Sequence, residues 1–223
     1  MKLPKMTNFN IKVISDPICP FCYLGKKRLD KAIDVYKRVY PGGANDTFTV
    51  SWSPFYLDPS LPKHGVPVQQ RMAERFGADR VEFMQNRLRM MGQPDGINFT
   101  FSGKIGNTRD AHRLIQLGKT KGIETQNRVV TELFRGYFEE SGDITSHDLL
   151  TSAGEKAGLD PAEIKKWLAE GKGGQEVDRE VDLAYRAGIQ GVPNFTINDK
   201  FTVDGAQDVQ VFLEEFVKAK DAA

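Results

Sequence analysis

The sequence predicts an α/β protein whose four-stranded mixed sheet, flanked by helices, is interrupted by a large all-helical insertion. The patterns up to Pro54 read as strand, helix and strand. Helical periodicities then follow one another for about a hundred residues, and the chain closes with helix, hairpin and helix. We therefore expect a discontinuous domain, residues 9–58 and 175–218, with a helical domain at 59–174 inserted between its halves.

The first half of the sheet comes from the N-terminal segment. Phe9–Ser15 alternates apolar and polar residues and is rich in β-branched side chains, which predicts a strand. From Tyr23 the apolar residues recur at intervals of three and four, which is typical of an amphipathic helix, and Pro41-Gly42-Gly43 ends it. Thr47–Trp52 is the second strand. A strand–helix–strand unit this short implies that the two strands are parallel.

The insertion is expected to be helical throughout. Its periodicity predicts helices at about 68–76, 79–91, 108–120, 125–140, 146–157 and 161–170. Asn107, Thr145 and Asp160 each precede a first-turn acid, so they are predicted N-caps. The second half of the sheet is a hairpin of strands 195–197 and 201–203, between helices predicted at 175–187 and about 206–218.

Composition and charge exclude several classes of function. Hydrophobic residues make up 39% and charged residues 27%, which is typical of a globular protein. With 31 basic and 30 acidic residues, the chain has no basic excess that would attract nucleic acid or an anionic membrane. It has neither a run of about 20 apolar residues nor the apolar core of a secretory signal, so we expect a cytoplasmic protein that is not membrane-bound.

The only two cysteines form the motif Cys19-Pro20-Phe21-Cys22, between the first strand and the first helix. The first amides of a helix have no intrahelical partner, so this position stabilises a thiolate, the form that attacks disulfides. Cys19 is the predicted nucleophile, and Cys22, one turn later, can resolve a mixed disulfide. Pro20 suits the first helical position. Because Phe21 brings no charge, we expect a moderate rather than a strongly oxidising couple.

Two other interpretations of the pair were weighed. A structural zinc site needs four ligands, and the chain offers only His64, His112 and His147, far apart in sequence, so no metal site is predicted. The cysteines could also be inert core residues. The position of the pair between a strand and a helix favours redox chemistry over both, and such chemistry requires no organic cofactor.

Three further positions are candidates for the site. A proline in Gly191-Val192-Pro193 is either the start of an edge strand or a cis peptide, and beside a redox pair the second interpretation is favoured, with the Val192 backbone turned towards an extended thiol substrate. His112 is either a proton shuttle or a residue hydrogen-bonded within the helical block. Asp16 either accepts the proton of Cys22 or shapes the turn before Pro17.

Four segments carry a resemblance to a known family. Ser15–Leu29 resembles the active-site segment of the FrnE-like dithiol oxidoreductases, a DsbA-like group of the thioredoxin superfamily associated with polyketide biosynthesis. Asn107–Leu114 and Gly191–Phe195 resemble the group's other two motifs, and Asp204–Gln207 is a weaker match. The order of elements agrees over about residues 9–218, so the chain is identified as a member of this group.

The resemblance implies a thioredoxin fold in which Cys19, Cys22 and Pro193 are catalytic. It also implies that the helix beginning after Asn107 covers the site, so that Asn107 and His112, together with Pro20, Phe21 and Val192, contact the substrate. That substrate is a thiol or disulfide carried by a protein, by glutathione or by another small molecule. Glutathione is the cosubstrate that the resemblance suggests, and no second redox centre is expected, because the chain has no third cysteine.

Two rival functions stay open at this point. Kappa-class glutathione transferases and 2-hydroxychromene-2-carboxylate isomerases share this fold, and a serine usually stands where Cys19 stands. A transferase or isomerase would use Cys19 only to orient the glutathione sulfur. A non-catalytic module would instead use the groove beside Pro193 to bind a peptide or metabolite. The kappa-class relatives dimerise, which makes a homodimer one alternative for this chain.

Overall fold

The computed structural model describes residues 6–222. Its elements, in chain order, are β1 Asn8–Ser15, α1 Pro20–Val39, β2 Thr47–Pro54, β3 Val66–Pro67, α2 Val68–Phe76, α3 Ala78–Gly92, β4 Lys104–Ile105, α4 Arg109–Thr120, α5 Ile123–Phe138, α6 His147–Lys156, α7 Pro161–Ala169, α8 Gly174–Arg186, β5 Asn194–Ile197, β6 Phe201–Asp204 and α9 Val209–Asp221. Within the described range, no helix is both long and apolar enough to span a membrane.

The main sheet has four strands in the order β2-β1-β5-β6. β1 pairs with β2 in parallel and with β5 in antiparallel fashion, and β5 and β6 form the predicted hairpin. The predicted α/β thioredoxin fold, a four-stranded mixed sheet flanked by helices, is therefore confirmed. β1 is a central strand and is followed closely by α1. The two cysteines therefore lie at the end of the sheet where β1 ends and β5 begins.

The helical insertion packs onto the sheet through β2, an edge strand with unpaired backbone groups. The side chain of Gln126, on α5, accepts a hydrogen bond from the Trp52 amide at 3.1 Å and donates one to the Trp52 carbonyl at 2.9 Å. Asn127 accepts a hydrogen bond from the Trp52 indole at 2.8 Å. These side chains replace the strand that would otherwise pair with this edge, which is one way that proteins protect edge strands.

One continuous apolar core joins the sheet to the insertion. Tyr23 on α1 stacks on Phe134 of α5, with ring centroids 5.1 Å apart, and both side chains are buried. Phe9 of β1 stacks on Phe48 of β2 with ring centroids 4.6 Å apart, and it also contacts Tyr36 of α1. This core includes residues on both sides of the predicted domain boundaries at 59 and 174. The division into two domains stays a prediction.

The structure differs from the sequence-based predictions at some boundaries. Asp160 is an N-cap as predicted, but the N-cap of α6 is Ser146 rather than Thr145. The Thr145 hydroxyl instead accepts a hydrogen bond from the Gly65 amide at 2.9 Å. Asn107 lies one residue before the N-cap of α4, although its side chain still accepts a hydrogen bond from the Arg109 amide.

The small sheet formed by β3 and β4 was not predicted, since the insertion was expected to be helical throughout. Each of these strands has two residues, which is too short to show any periodicity. The last helix begins at Val209, three residues later than the predicted start at 206.

Candidate active site

Cys19 is the N-cap of α1, and Pro20 is the first residue of the helix. The Cys19 backbone is extended, and its carbonyl accepts hydrogen bonds from the amides of Cys22 at 3.0 Å and Tyr23 at 3.4 Å. The first turn of α1 contains no acidic residue. No carboxylate on that turn therefore opposes the positive end of the helix dipole beside Cys19. Only 3% of Cys19 is exposed, whereas Phe21 is 43% exposed.

Cys22 lies one turn further along α1 and is completely buried. Both cysteines are free thiols. Burial raises the pKa of the Cys22 thiol well above its ordinary value, and the hydrogen bond and charge of Cys19 raise it further. Contacts with Ser15 and the Asp16 backbone oppose this rise without cancelling it. At neutral pH Cys22 is therefore a protonated thiol, which cannot act as a nucleophile until it loses its proton.

This difference predicts selective alkylation. At neutral pH, iodoacetamide should modify Cys19 and leave Cys22 unmodified, because the raised pKa keeps the Cys22 thiol protonated and burial shields it. Peptide mass mapping of the folded protein checks this, and the Cys19→Ser variant should take up almost no label. Labelling of Cys22 should begin only as the pH rises well above the ordinary cysteine pKa of about 8.5. Equal labelling of both cysteines in the folded protein at neutral pH would contradict this assignment.

The loop before β5 lies opposite Cys19. The Cys19 thiol donates a hydrogen bond to the Val192 carbonyl with 3.6 Å between Sγ and O, although the two residues are 173 positions apart. The Val192–Pro193 peptide bond is cis. Gly25 allows α1 to pass close to this loop, since a Cβ there would lie 3.1 Å from Pro193 and 2.9 Å from the Phe195 ring.

His112 lies behind the active-site loop. Its Nε2 is 3.0 Å from the Phe55 carbonyl, to which it donates, and 3.6 Å from Oδ1 of Asp16. Asp16 is fully buried, and its Oδ2 accepts a hydrogen bond from the Leu57 amide at 2.9 Å. These contacts tie the loop before Cys19 to the segment after β2. His112 therefore reaches the active-site loop through Asp16, and its direct role in catalysis stays a prediction.

The family can be assigned from the whole chain. Residues 10–217 match the DSBA-like thioredoxin domain family. The chain belongs to this family. The protein YwbO of Bacillus subtilis, described as uncharacterised, is 32% identical over 207 residues, which cover 91% of this DsbA-like chain and 93% of YwbO.

Solved structures agree with this assignment. A probable DsbA oxidoreductase from Streptomyces coelicolor is 26% identical, with a TM-score of 0.85, over 96% of this chain and 91% of its own. The cytosolic disulfide reductase DsbM from Pseudomonas aeruginosa shares the fold at 15% identity and a TM-score of 0.61, over 96% and 100% of the two chains. A 2-hydroxychromene-2-carboxylate isomerase shares it at 17% identity and 0.66, over 96% of both.

Asn107 contacts the loop after β2 and the start of α4 in this DsbA-like protein. Its amide donates to the Pro62 carbonyl at 2.8 Å, and its side chain holds the Arg109 amide at 3.0 Å. It lines a polar recess with Lys63 and Thr145. These contacts fix the start of α4 against the loop after β2, and a role for Asn107 in substrate binding stays a prediction.

Two concave surfaces flank Cys19 in this DsbA-like protein. A groove of about 590 Å³ is formed by residues 188–194 with Asp204 and Gly205. A smaller, more apolar pocket of about 240 Å³ is lined by Ile18 and Pro20 and by residues of α2, among them Arg71 and Arg75.

Pro20 and Val192, which line these surfaces, were predicted site residues, whereas neither arginine was. Arg71 and Arg75 are four positions apart, so they share one face of α2, and two cations at this spacing on the first helix of the insertion were the available signal. Between residues 6 and 222, no cluster of three or more His, Cys, Asp and Glu side chains could hold a metal ion.

Proposed function

We propose that this protein is a thiol–disulfide oxidoreductase that uses Cys19 as the attacking thiolate and Cys22 as the resolving thiol. The observation that carries the proposal is that two thiols lie one helical turn apart, one at the helix N-terminus and the other fully buried with a raised pKa. Cys19 occupies the N-cap of α1, at the positive end of the helix, and Cys22, one turn later, is completely buried. The membership in the DsbA-like family supports the same chemistry.

The reaction proceeds in two exchanges. The Cys19 thiolate attacks one sulfur of a substrate disulfide, the substrate S–S bond breaks, and one substrate thiolate leaves. Cys22 then loses its proton and attacks the Cys19 sulfur, which releases the second substrate thiolate and forms the Cys19–Cys22 disulfide. The substrate gains two electrons and takes up two protons, while the cysteine pair loses both. The reverse sequence oxidises a dithiol.

The groove beside Val192 is proposed to hold the substrate. Its volume of about 590 Å³ falls within the range of small-molecule sites. The Val192 carbonyl, 3.6 Å from the Cys19 sulfur, lies where the backbone of an extended peptide or of glutathione can run beside the reacting sulfur. Pro20 and Phe21, the residues that follow Cys19 on α1, are proposed to contact the substrate as well, and Phe21 offers an exposed apolar ring.

We further propose that the enzyme works in the cytoplasm with glutathione as its cosubstrate and without an organic cofactor. Two glutathione molecules would reduce the Cys19–Cys22 disulfide and leave as glutathione disulfide. We propose that the substrate of the enzyme belongs to polyketide or other secondary metabolism, because Ser15–Leu29 resembles the active-site segment of FrnE-like enzymes. A homodimer is compatible with this chemistry, since both cysteines belong to one chain.

Equilibration with glutathione buffers tests the proposal. As the ratio of glutathione disulfide to glutathione rises, the protein should lose two thiols together, counted by alkylation after acid quenching and unfolding. The midpoint potential should be clearly more negative than about −120 mV, the value of strongly oxidising DsbA. Phe21 supplies no charge to stabilise the reduced form further, which is the reason for this limit. A midpoint near −120 mV would contradict the expectation drawn from Phe21, and the dithiol function itself would still stand.

Other results would assign a different function. If no disulfide forms at any buffer ratio while glutathione is conjugated to an electrophile, the chain is a transferase or isomerase in which Cys19 only orients glutathione. If neither reaction occurs but peptides or metabolites bind, it is a binding module.

A further inference from the structure

The pocket beside Cys19 is positioned to contact whatever is bonded to that sulfur. Ile18 and Pro20, the residues on either side of Cys19, both line it. The opposite wall is α2, which contributes Met72 and Phe76. A group attached to Cys19 in a mixed disulfide therefore has two directions to follow, the groove beside Val192 and this pocket.

Unbalanced positive charge lies at the rim of the pocket. Arg71 Nη2 and Arg75 Nη1 donate to the same oxygen, Oδ2 of Asp58, at 3.0 and 3.2 Å. The other Asp58 oxygen accepts hydrogen bonds from the amide and hydroxyl of Ser60. Two guanidinium groups thus share one carboxylate. The Nε atom of Arg71 is buried, and it has no acceptor in the described part of the chain. Because the two cations share a single carboxylate, a net positive charge remains at the rim, which favours an anionic ligand.

The rest of the pocket is apolar and small. Leu57 and Phe76 are large apolar side chains that stay more than one third exposed at its edge. The volume is about 240 Å³. A protein cavity of about 150 Å³ binds benzene, so this one can hold a single substituted ring or a short acyl chain, and it is too small for a folded peptide segment.

We propose that this pocket selects small disulfides or thiols that combine an aromatic or short acyl body with a carboxylate. The inference rests on the proposed dithiol function and adds a substrate class to it. In the first exchange, the half that becomes bonded to Cys19 places its apolar body between Pro20 and Phe76, and its carboxylate binds Arg71 and Arg75. The other half leaves as a thiolate. Cys22 then releases the bound half.

Two small aromatic disulfides test this without any additional reductant. Dithiobis(nitrobenzoate) carries a carboxylate on each ring, whereas dithiodipyridine carries none. Pre-reduced protein is mixed with an excess of each, and the rate of thiolate release is divided by the rate with free mercaptoethanol, which removes the intrinsic reactivity of the probe. The variants are Arg71→Gln and Arg75→Gln, with Arg71→Lys as the charge-conserving form. The control is Arg80→Gln, an exposed position on α3.

For the carboxylate probe, each glutamine variant should lower the normalised rate about tenfold, since each removes one charge-assisted hydrogen bond. For the neutral probe the change should stay within about twofold, the range expected when only a neutral contact changes. Arg71→Lys should recover part of the loss, and Arg80→Gln should leave both rates unchanged. Equal losses with both probes, or no loss with either, would overturn the proposed selection.

The same traces keep this inference separate from the proposed function. If the dithiol mechanism holds, wild-type protein releases two aryl thiolates per chain with either probe, one for each exchange. Release of only one would refute the dithiol mechanism, and the dependence of that first exchange on Arg71 and Arg75 would still decide whether the pocket selects carboxylates.

Discussion

Replacement of Cys19 by serine is expected to lower the rate of disulfide exchange by about 10³-fold or more, because the variant loses the only nucleophile at the N-cap of α1. Cys22 cannot substitute for it. Its thiol is buried, and its raised pKa keeps it protonated at neutral pH. The measurement is the initial rate of insulin disulfide reduction with glutathione as the reductant.

The matched variant is Cys22→Ser, which retains the nucleophile and loses the resolving thiol. It should react once with a disulfide substrate and then accumulate the mixed disulfide on Cys19, visible as a stable mass increase that a reductant reverses. Full reductase activity in Cys19→Ser, or a mixed disulfide on Cys22 in that variant, would show that the roles of the two cysteines have been assigned wrongly.

Replacement of Arg113 by methionine should lower the free energy of unfolding by about 3 kcal/mol or more, the cost of breaking a buried charge network. Arg113 is 3% exposed, and its guanidinium donates to the carbonyls of Trp167, Leu168 and Lys172 at 2.7, 3.0 and 2.8 Å. The first two are among the last carbonyls of α7, which have no partner within the helix. Methionine fills similar space but has no donor, so the Trp167 and Leu168 carbonyls keep only the backbone amides of Lys172 and Gly171. Asp110 also loses its ion pair with the guanidinium, whose closest oxygen lies at 2.6 Å.

Arg128→Met is the matched control for that substitution. Arg128 donates to the carbonyl of Ala157, the C-cap of α6, at 2.9 Å, but it is exposed, so water can replace it. Its loss should cost only about 0.5 to 1 kcal/mol. Urea unfolding of the two variants gives the comparison. Similar costs at both positions would show that burial of Arg113 adds nothing to the stability of the α4–α7 contact.

Much of the fold could be read from residues that lie close together in sequence. The periods of two and of about 3.6 residues located the strands of the main sheet and every long helix, because each pattern reflects one buried face of a single element. The prediction was weaker at the element ends. Thr145 and Ser146 are both good capping residues, and the choice between them depended on Gly65, which lies far away in sequence and occupies the Thr145 hydroxyl.

The predicted site was incomplete for a similar reason. His112 was expected near the cysteines, and the structure places it against Phe55 and Asp16, within the loop network that precedes Cys19. Nothing in the local pattern around Asp58 indicated that it would be shared by Arg71 and Arg75, because that arrangement exists only once α2 folds back over the segment after β2.

The sequence by itself determined the order of the elements, the parallel and hairpin pairings, and the position of a two-cysteine motif at the start of a helix, since all of these follow from backbone preferences and short-range spacing. Only the tertiary structure decided what surrounds Cys19. The Val192 carbonyl, 173 residues away, and the cationic rim of the adjacent pocket come from separate segments of the chain. Their meeting depends on how the sheet, α1 and the insertion pack together, which no short stretch of sequence encodes.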